Sequence, residues 1–160
     1  LKTDMESIIR IAEKRDVPYM LALIKELAAY EKAPLEVTNT IERMEADGFS
    51  GHPSFFAHVA ELEGAIVGVA IYYKAYSTWK GNYIYLDDII ITAEMRGKGI
   101  GKKLFDAVGA FAKDCNANLL RWHVLEWNEP AINFYKKYDA TLDPEWITCK
   151  LKKEQLESLF

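Results

Sequence analysis

Arg96-Gly97-Lys98-Gly99-Ile100-Gly101 lies between a strand-like run, Tyr83 to Ile91, and a long helical pattern. In that pattern Ile100, Leu104, Ala107, Val108, Phe111 and Ala112 recur at the spacing of one apolar helix face. Glycines at a strand-to-helix turn permit positive φ and let a ligand approach the backbone. N–H groups at a helix start have no intrahelical acceptor, so they can hold an anion, typically phosphate. Two common nucleotide loops are excluded. A Walker A loop needs a glycine where Arg96 stands and Ser or Thr where Lys103 stands. A dinucleotide fingerprint needs a glycine where Lys102 stands.

Outward from this loop the elements alternate. Ile8 to Ala12 reads as a strand. Asp16 reads as a cap for a helix with Pro18 in its first turn, in which Val17, Met20, Leu21, Ile24, Leu27 and Ala28 repeat at helical spacing until about Glu31. Pro34 ends it, and a weaker helix is predicted over about 37–46, ending at Gly48. Phe55 to Leu62 and Ala65 to Tyr73 read as a hairpin turning at Glu63-Gly64. Beyond the long helix, Leu119 to Leu125 reads as a strand. Asn128 caps a short helix with Pro130 in its first turn and Ala131, Phe134, Tyr135 and Tyr138 on one face. Trp146 to Leu151 reads as a final strand. Short connections argue for one mixed α/β (α+β) sheet of about six or seven strands flanked by about four helices, in a single domain over residues 1–160.

The chain has 160 residues, half of them hydrophobic, and a net charge of -4. That is enough for one domain with a core. The acidic balance argues against broad binding to a phosphate backbone, and the aromatic residues have no basic patch beside them, so nucleic acid is not expected as a partner. Cys115 and Cys149 lie far apart, and His52, His58 and His123 are scattered. Reduced thiols and no metal site are expected. No charged-then-apolar leader and no apolar run near 18 residues is present, so a cytoplasmic protein without a membrane partner is expected.

The pattern Arg-x-x-Gly-x-Gly, at Arg96, Gly99 and Gly101, resembles the pyrophosphate-binding motif of the GCN5-related N-acetyltransferase (GNAT) superfamily. The resemblance reaches further. Tyr76-Ser77-Thr78-Trp79-Lys80-Gly81 and Ile84-Tyr85-Leu86-Asp87-Asp88-Ile89 look like the diamine acetyltransferase branch, which includes spermidine/spermine and thialysine acetyltransferases. Leu23 to Ala28 followed by Tyr30-Glu31, Asp47-Gly48-Phe49, His52-Pro53, Glu126 to Pro130, and Ile132 to Tyr135 are similar to further segments of it. Three features depart from the branch: Asp87 stands where Glu is usual, Asp139 where Gly is common, and 141–145 is shortened.

The resemblance implies an acetyl-CoA-dependent transfer of an acetyl group to a primary amine of a small cationic metabolite, by direct attack on the thioester. It implies coenzyme contacts from Ile89, Ile90 and Ile91, from the loop residues Arg96, Gly97, Lys98, Gly99, Ile100, Gly101 and Lys102, and from Asn128, Pro130 and Ala131. Main-chain groups of Ile89 and Ile91 hold the pantetheine arm in this reading, and an N–H polarises the thioester carbonyl. Asp87 is the first candidate to receive the amine proton and to hold the cation. A carboxylate ordinarily titrates near 3.9 and an alkylammonium near 10.4, so a water relay or a raised pKa is required. Asp88 should face the opposite side of the strand, as a mainly structural residue, unless a bulge intervenes. Tyr135 is implied as the acid that protonates the leaving thiolate, although its place on an apolar helix face also suits a core tyrosine. Tyr30, Glu31 and Glu126 are implied amine contacts, and a homodimer is the implied assembly. A protein lysine, another small amine such as an aminoglycoside, and a coenzyme A-binding module without turnover stay open as alternatives.

Overall fold

The two longest strands form a hairpin that carries most of the sheet: β3, Ala65–Ser77, and β4, Gly81–Ile91. The computed structural model describes residues 6–160. Around the hairpin run β1 (Ile8–Ile11), α1 (Val17–Tyr30), α2 (Ile41–Gly48), β2 (Phe56–Leu62), α3 (Ile100–Asp114) and β5 (Leu120–Arg121), followed by α4 (Glu129–Lys136) and α5 (Lys153–Leu159). The sheet order is β1-β2-β3-β4-β5, antiparallel except for the parallel β4–β5 pair. The chain divides into two units, Leu1–His123 and Val124–Phe160.

The mixed α/β class is as the sequence predicts, with fewer strands. Among the described residues the sheet has five strands rather than six or seven. Trp146 to Leu151 joins no ladder, and the strand predicted over 119–125 keeps only Leu120 and Arg121. α5, built from Lys153 to Leu159, was not predicted, because its residues are good helix formers without a long apolar repeat. The second helix begins at Ile41, behind the cap Thr40, whose hydroxyl accepts the Arg43 N–H at 3.2 Å.

Asp16 also departs from the prediction. Its carboxylate does not cap α1. It accepts the Glu13 N–H at 2.7 Å and both terminal nitrogens of Arg10 at 2.7 and 2.9 Å, while Arg10 Nε reaches Glu61 at 2.8 Å. Asp16 is 3% exposed, so the residue that looks like a cap is the buried half of an ion network joining β1, β2 and the turn before α1.

The sheet has two covered faces in the first unit. Val59, Val69, Ile71 and Ile90 join Met20, Leu21 and Met44 in one buried cluster, which is the face under α1 and α2. On the other face Tyr72 lies 4.8 Å from Phe111 of α3, ring centre to ring centre. Gly68 permits this second packing: a Cβ there would come within 2.7 Å of Ile91 Cδ1 and 3.1 Å of Leu104 Cδ1. Among the described residues no helix is long and apolar enough to cross a membrane.

In the second unit, Asn128 caps α4 as predicted, its Oδ1 accepting the Ala131 N–H at 3.4 Å. α4 ends at Asp139, whose φ of 55° is left-handed, with the Ala140 N–H turned back to Tyr135 O at 3.4 Å. A glycine is common there in the branch because this helix ending needs a left-handed residue; Asp is among the few side chains that tolerate it.

Candidate active site

The β3–β4 ladder slips by one residue in the middle of β4. Tyr72 pairs with Leu86 and Ile71 with Asp88, leaving Asp87 without a partner. Two residues then oppose one, which is a β-bulge. Cross-strand partners share a face. Leu86 therefore lies with Tyr72 on the α3 side, whereas Asp88 lies with Ile71 on the α1 side. Asp87 follows Leu86 and alternates to the α1 side as well. The two aspartates thus face the same way: the bulge that the sequence reading allowed for is present, and it turns Asp88 to the side of Asp87.

Burial and like charge act together on this acidic group. Asp88 is half-buried; its carboxyl is pushed up to about 7, first by burial and then by the charges of Asp87 and Glu31. Asp87 is open to solvent on one side yet enclosed enough by protein for burial to raise its carboxyl above the usual range. Glu31, the residue that closes α1, is raised by burial as well. Like charges at a partly dry site cannot all ionise together, so one member retains its proton near neutrality. Such a set can attract a cation and accept a proton.

Beside this group β4 has an open edge. The β4–β5 ladder comprises Ile84 with Leu120 and Tyr85 with Arg121. The Thr92 N–H donates to Val67 O at 2.9 Å, so by antiparallel alternation Ile90 also bonds toward β3 while Ile89 and Ile91 turn their main-chain groups to the other side. Ile91 O accepts Arg96 Nε at 3.0 Å there. The side chain of Ile90 is buried in the α1-side cluster.

The glycine loop follows. Gly97 and Gly99 have φ of 74° and 77°, and Gly99 is the left-handed cap residue of α3. A Cβ at Gly99 would meet nothing within 4 Å, so conformation rather than crowding requires glycine there. Gly99 has no side chain to cap the helix start, and its carbonyl already accepts the Lys103 N–H at 3.2 Å. The first-turn N–H groups of Ile100 and Gly101 precede the intrahelical ladder. With the basic residues Lys98 and Lys102 nearby, this fits a phosphate-bearing ligand.

Arg96 turns toward α1. Its guanidinium lies 4.9 Å from the ring centre of Tyr30 and 3.7 Å from Glu26. Glu26 accepts the Ala93 N–H at 2.9 Å and the Thr92 hydroxyl at 3.1 Å. Tyr30, predicted as an amine contact, is therefore seated against the root of the loop. Glu26 ties α1 to the end of β4; in sequence it showed only as part of the stretch similar to the branch's first helix.

Tyr73, Tyr83 and Tyr85 share the face of Asp87. Tyr73 and Tyr85 stack at 5.1 Å, and the Tyr85 hydroxyl is hydrogen-bonded to His123 Nδ1. The aromatic, β-branched run that made β4 read as a buried strand concealed these residues. The second unit carries the remaining predicted residues: Glu126 is exposed, Asn128, Pro130 and Ala131 begin α4, and Tyr135 is 6% exposed.

A profile of the Acetyltransferase (GNAT) family matches residues 9–139. The chain belongs to the GNAT acetyltransferase family. Curated relatives of this GNAT chain include the Bos taurus thialysine N-epsilon-acetyltransferase, 39% identical with 95% of this chain and 96% of the relative covered. The Mus musculus protein of the same name is 35% identical, with 94% and 95% covered. A solved aminoglycoside acetyltransferase from a soil metagenomic sample superimposes with a TM-score of 0.75 at 20% identity, covering 91% of this chain and 95% of that one, which is a likeness of fold. The GNAT chain is accordingly an N-acetyltransferase with the fold of its family.

Proposed function

We propose that this N-acetyltransferase transfers the acetyl group of acetyl-CoA to a primary amine of a small cationic metabolite of the polyamine, diamine or thialysine kind. The observation that carries the reading is the β4 bulge, which sets Asp87 and Asp88 on one face, with Asp88 within electrostatic reach of Glu31. The names of the relatives, thialysine acetyltransferases and a spermidine/spermine N(1)-acetyltransferase-like protein, support the same class of amine.

In this reading Glu31 and Asp87 hold the ammonium, and Asp88, with its carboxyl near neutrality, takes the proton that the amine must lose to become a nucleophile. The first-turn N–H groups of α3 hold the pyrophosphate, and the outward N–H groups of β4 polarise the thioester carbonyl. Acetyl-CoA supplies the activated acyl group. Tyr135 keeps the acid role that the resemblance gives it. We further propose a cytoplasmic homodimer.

Acetyl-CoA consumption is to be measured against spermidine, spermine, thialysine, lysine, ornithine, short diamines and a lysine peptide. Turnover of a small cation supports the reading and names the substrate. Turnover of the peptide alone, or tight coenzyme A binding with no turnover, rejects it.

A further inference from the structure

Acetylation of an ammonium ion leaves one proton on the thiol and sends a second to solvent. A carboxylate that accepts that second proton has to release it before the next cycle. Asp88 is half-buried, so its proton leaves through the exposed Asp87 or through a neighbouring side chain.

One hydrogen-bonded pair of side chains lies on the face of the acidic group. The Tyr85 hydroxyl, on the face of Asp87, is hydrogen-bonded to His123 Nδ1, and His123 is exposed. The phenol ring is fixed on both sides: it stacks on Tyr73 at 5.1 Å and tilts against the imidazole at 5.7 Å. Charged and titratable groups around the pair come from every neighbouring strand: Tyr73 on β3, Tyr83 and Asp87 on β4, and Arg121 on β5. Burial raises the Tyr85 hydroxyl first; Tyr73 and Asp87 add to the rise and Arg121 opposes it. Tyr85 is therefore a neutral hydroxyl, able to donate to the imidazole while its lone pairs accept.

Building on the amine acetyl-transfer reading, we propose that Tyr85 and His123 form a proton path carrying the proton lost by the substrate ammonium from the acidic group to bulk water. The ammonium N–H bond breaks and its electron pair stays on nitrogen. The proton bonds to Tyr85 Oη, directly or from a carboxylate, as the hydroxyl's own proton passes to His123 Nδ1. The imidazolium then releases a proton from Nε2 to water, and exchange with water at the exposed ring returns the remaining proton from Nδ1 to Nε2 before the next cycle. A neutral imidazole has one ring nitrogen that accepts and one that donates, so it can take a proton at Nδ1 and release one at Nε2. His123 acts through Tyr85 and is a positioning and relay residue.

The experiment compares wild type, His123→Leu, Tyr85→Phe and the double variant, using acetyl-CoA and the best amine of the panel. The readouts are kcat and kcat/KM from pH 6 to 9 and acetyl-CoA binding by calorimetry. Expected are a kcat loss on the order of 10²-fold near pH 7 in each single variant, a changed acidic limb, unchanged acetyl-CoA affinity, and a double variant no slower than the worse single. Added imidazole should restore part of the His123→Leu rate. Profiles of wild-type shape, or single losses that multiply in the double variant, overturn the path. Should Tyr85→Phe fold poorly, the exposed His123→Leu variant decides alone. Absence of turnover by wild type with every amine overturns the acetyl-transfer reading, and the path with it; turnover with unaltered His123→Leu kinetics overturns the path only.

Discussion

Asp87 and Asp88, neighbours in the chain, face the same side of the sheet because only Asp88 has a partner, Ile71, across the β3–β4 ladder. In a regular strand they would face opposite sides. The extra residue concentrates negative charge where burial makes it costly, and the raised carboxyls are the consequence.

Asp88→Asn should remove the rise in rate through about pH 7. Below that value the carboxyl is protonated and can accept no proton, so activity climbs as it ionises. The variant should lose on the order of 10²-fold in kcat/KM at pH 8. Stability moves the other way. A carboxyl whose folded pKa is raised favours the folded state fully below its unfolded value near 3.9 and loses that contribution as pH rises through about 7. Thermal unfolding should show Asp88→Asn more stable than wild type at pH 8 and little changed at pH 4.

Gly99→Val tests the loop through its backbone. A β-branched residue at φ 77° is strained by about 1–2 kcal/mol, although its Cβ has room. Calorimetry should show acetyl-CoA binding lost while the circular dichroism spectrum is retained. Unchanged binding would contradict the loop assignment.

Asp16→Ala leaves the Arg10 guanidinium with Glu61 alone, where Asp16 and Glu61 together hold it well above its usual pKa. A loss of about 3 kcal/mol in urea unfolding is expected. Hydrogen bonds from Arg10 hold the Asp16 carboxyl below its usual range. Its contribution is therefore complete above about 3.9 and disappears as pH falls through the folded value. Wild type should lose stability on acidification in that window more steeply than the variant.

Lys32→Gly should stabilise the protein by about 1 kcal/mol. Lys32 follows α1 with φ 62°, and the Ala33 N–H turns back to Ala28 O at 2.8 Å. Asn116 ends α3 in the same way with φ 52°, but Asn tolerates that conformation, so Asn116→Gly should gain less in thermal unfolding.

Much of this was legible in sequence. Apolar spacing located α1 and α3 within a residue or two, and the glycine loop was found between its strand and helix. These features depend on neighbours in the chain. Asp87, Glu31 and the loop were also legible as candidates, through residue type and resemblance. Hidden were the partnership of Asp88 with Asp87, the seating of Arg96 on Tyr30, and the Tyr85–His123 hydrogen bond. Each depends on residues far apart in the chain.

Local order, from the helical repeats to the left-handed glycine at 99, was determined by the sequence itself, because φ preferences and apolar periodicity act over a few residues. Tertiary structure decided the rest. Pairing with β3 placed the bulge at Asp87, and burial beside like charges raised Asp88. Trp146 to Leu151, strand-like in sequence, joins no ladder. Ladder register and desolvation are properties of surroundings, and surroundings exist only once the chain has folded.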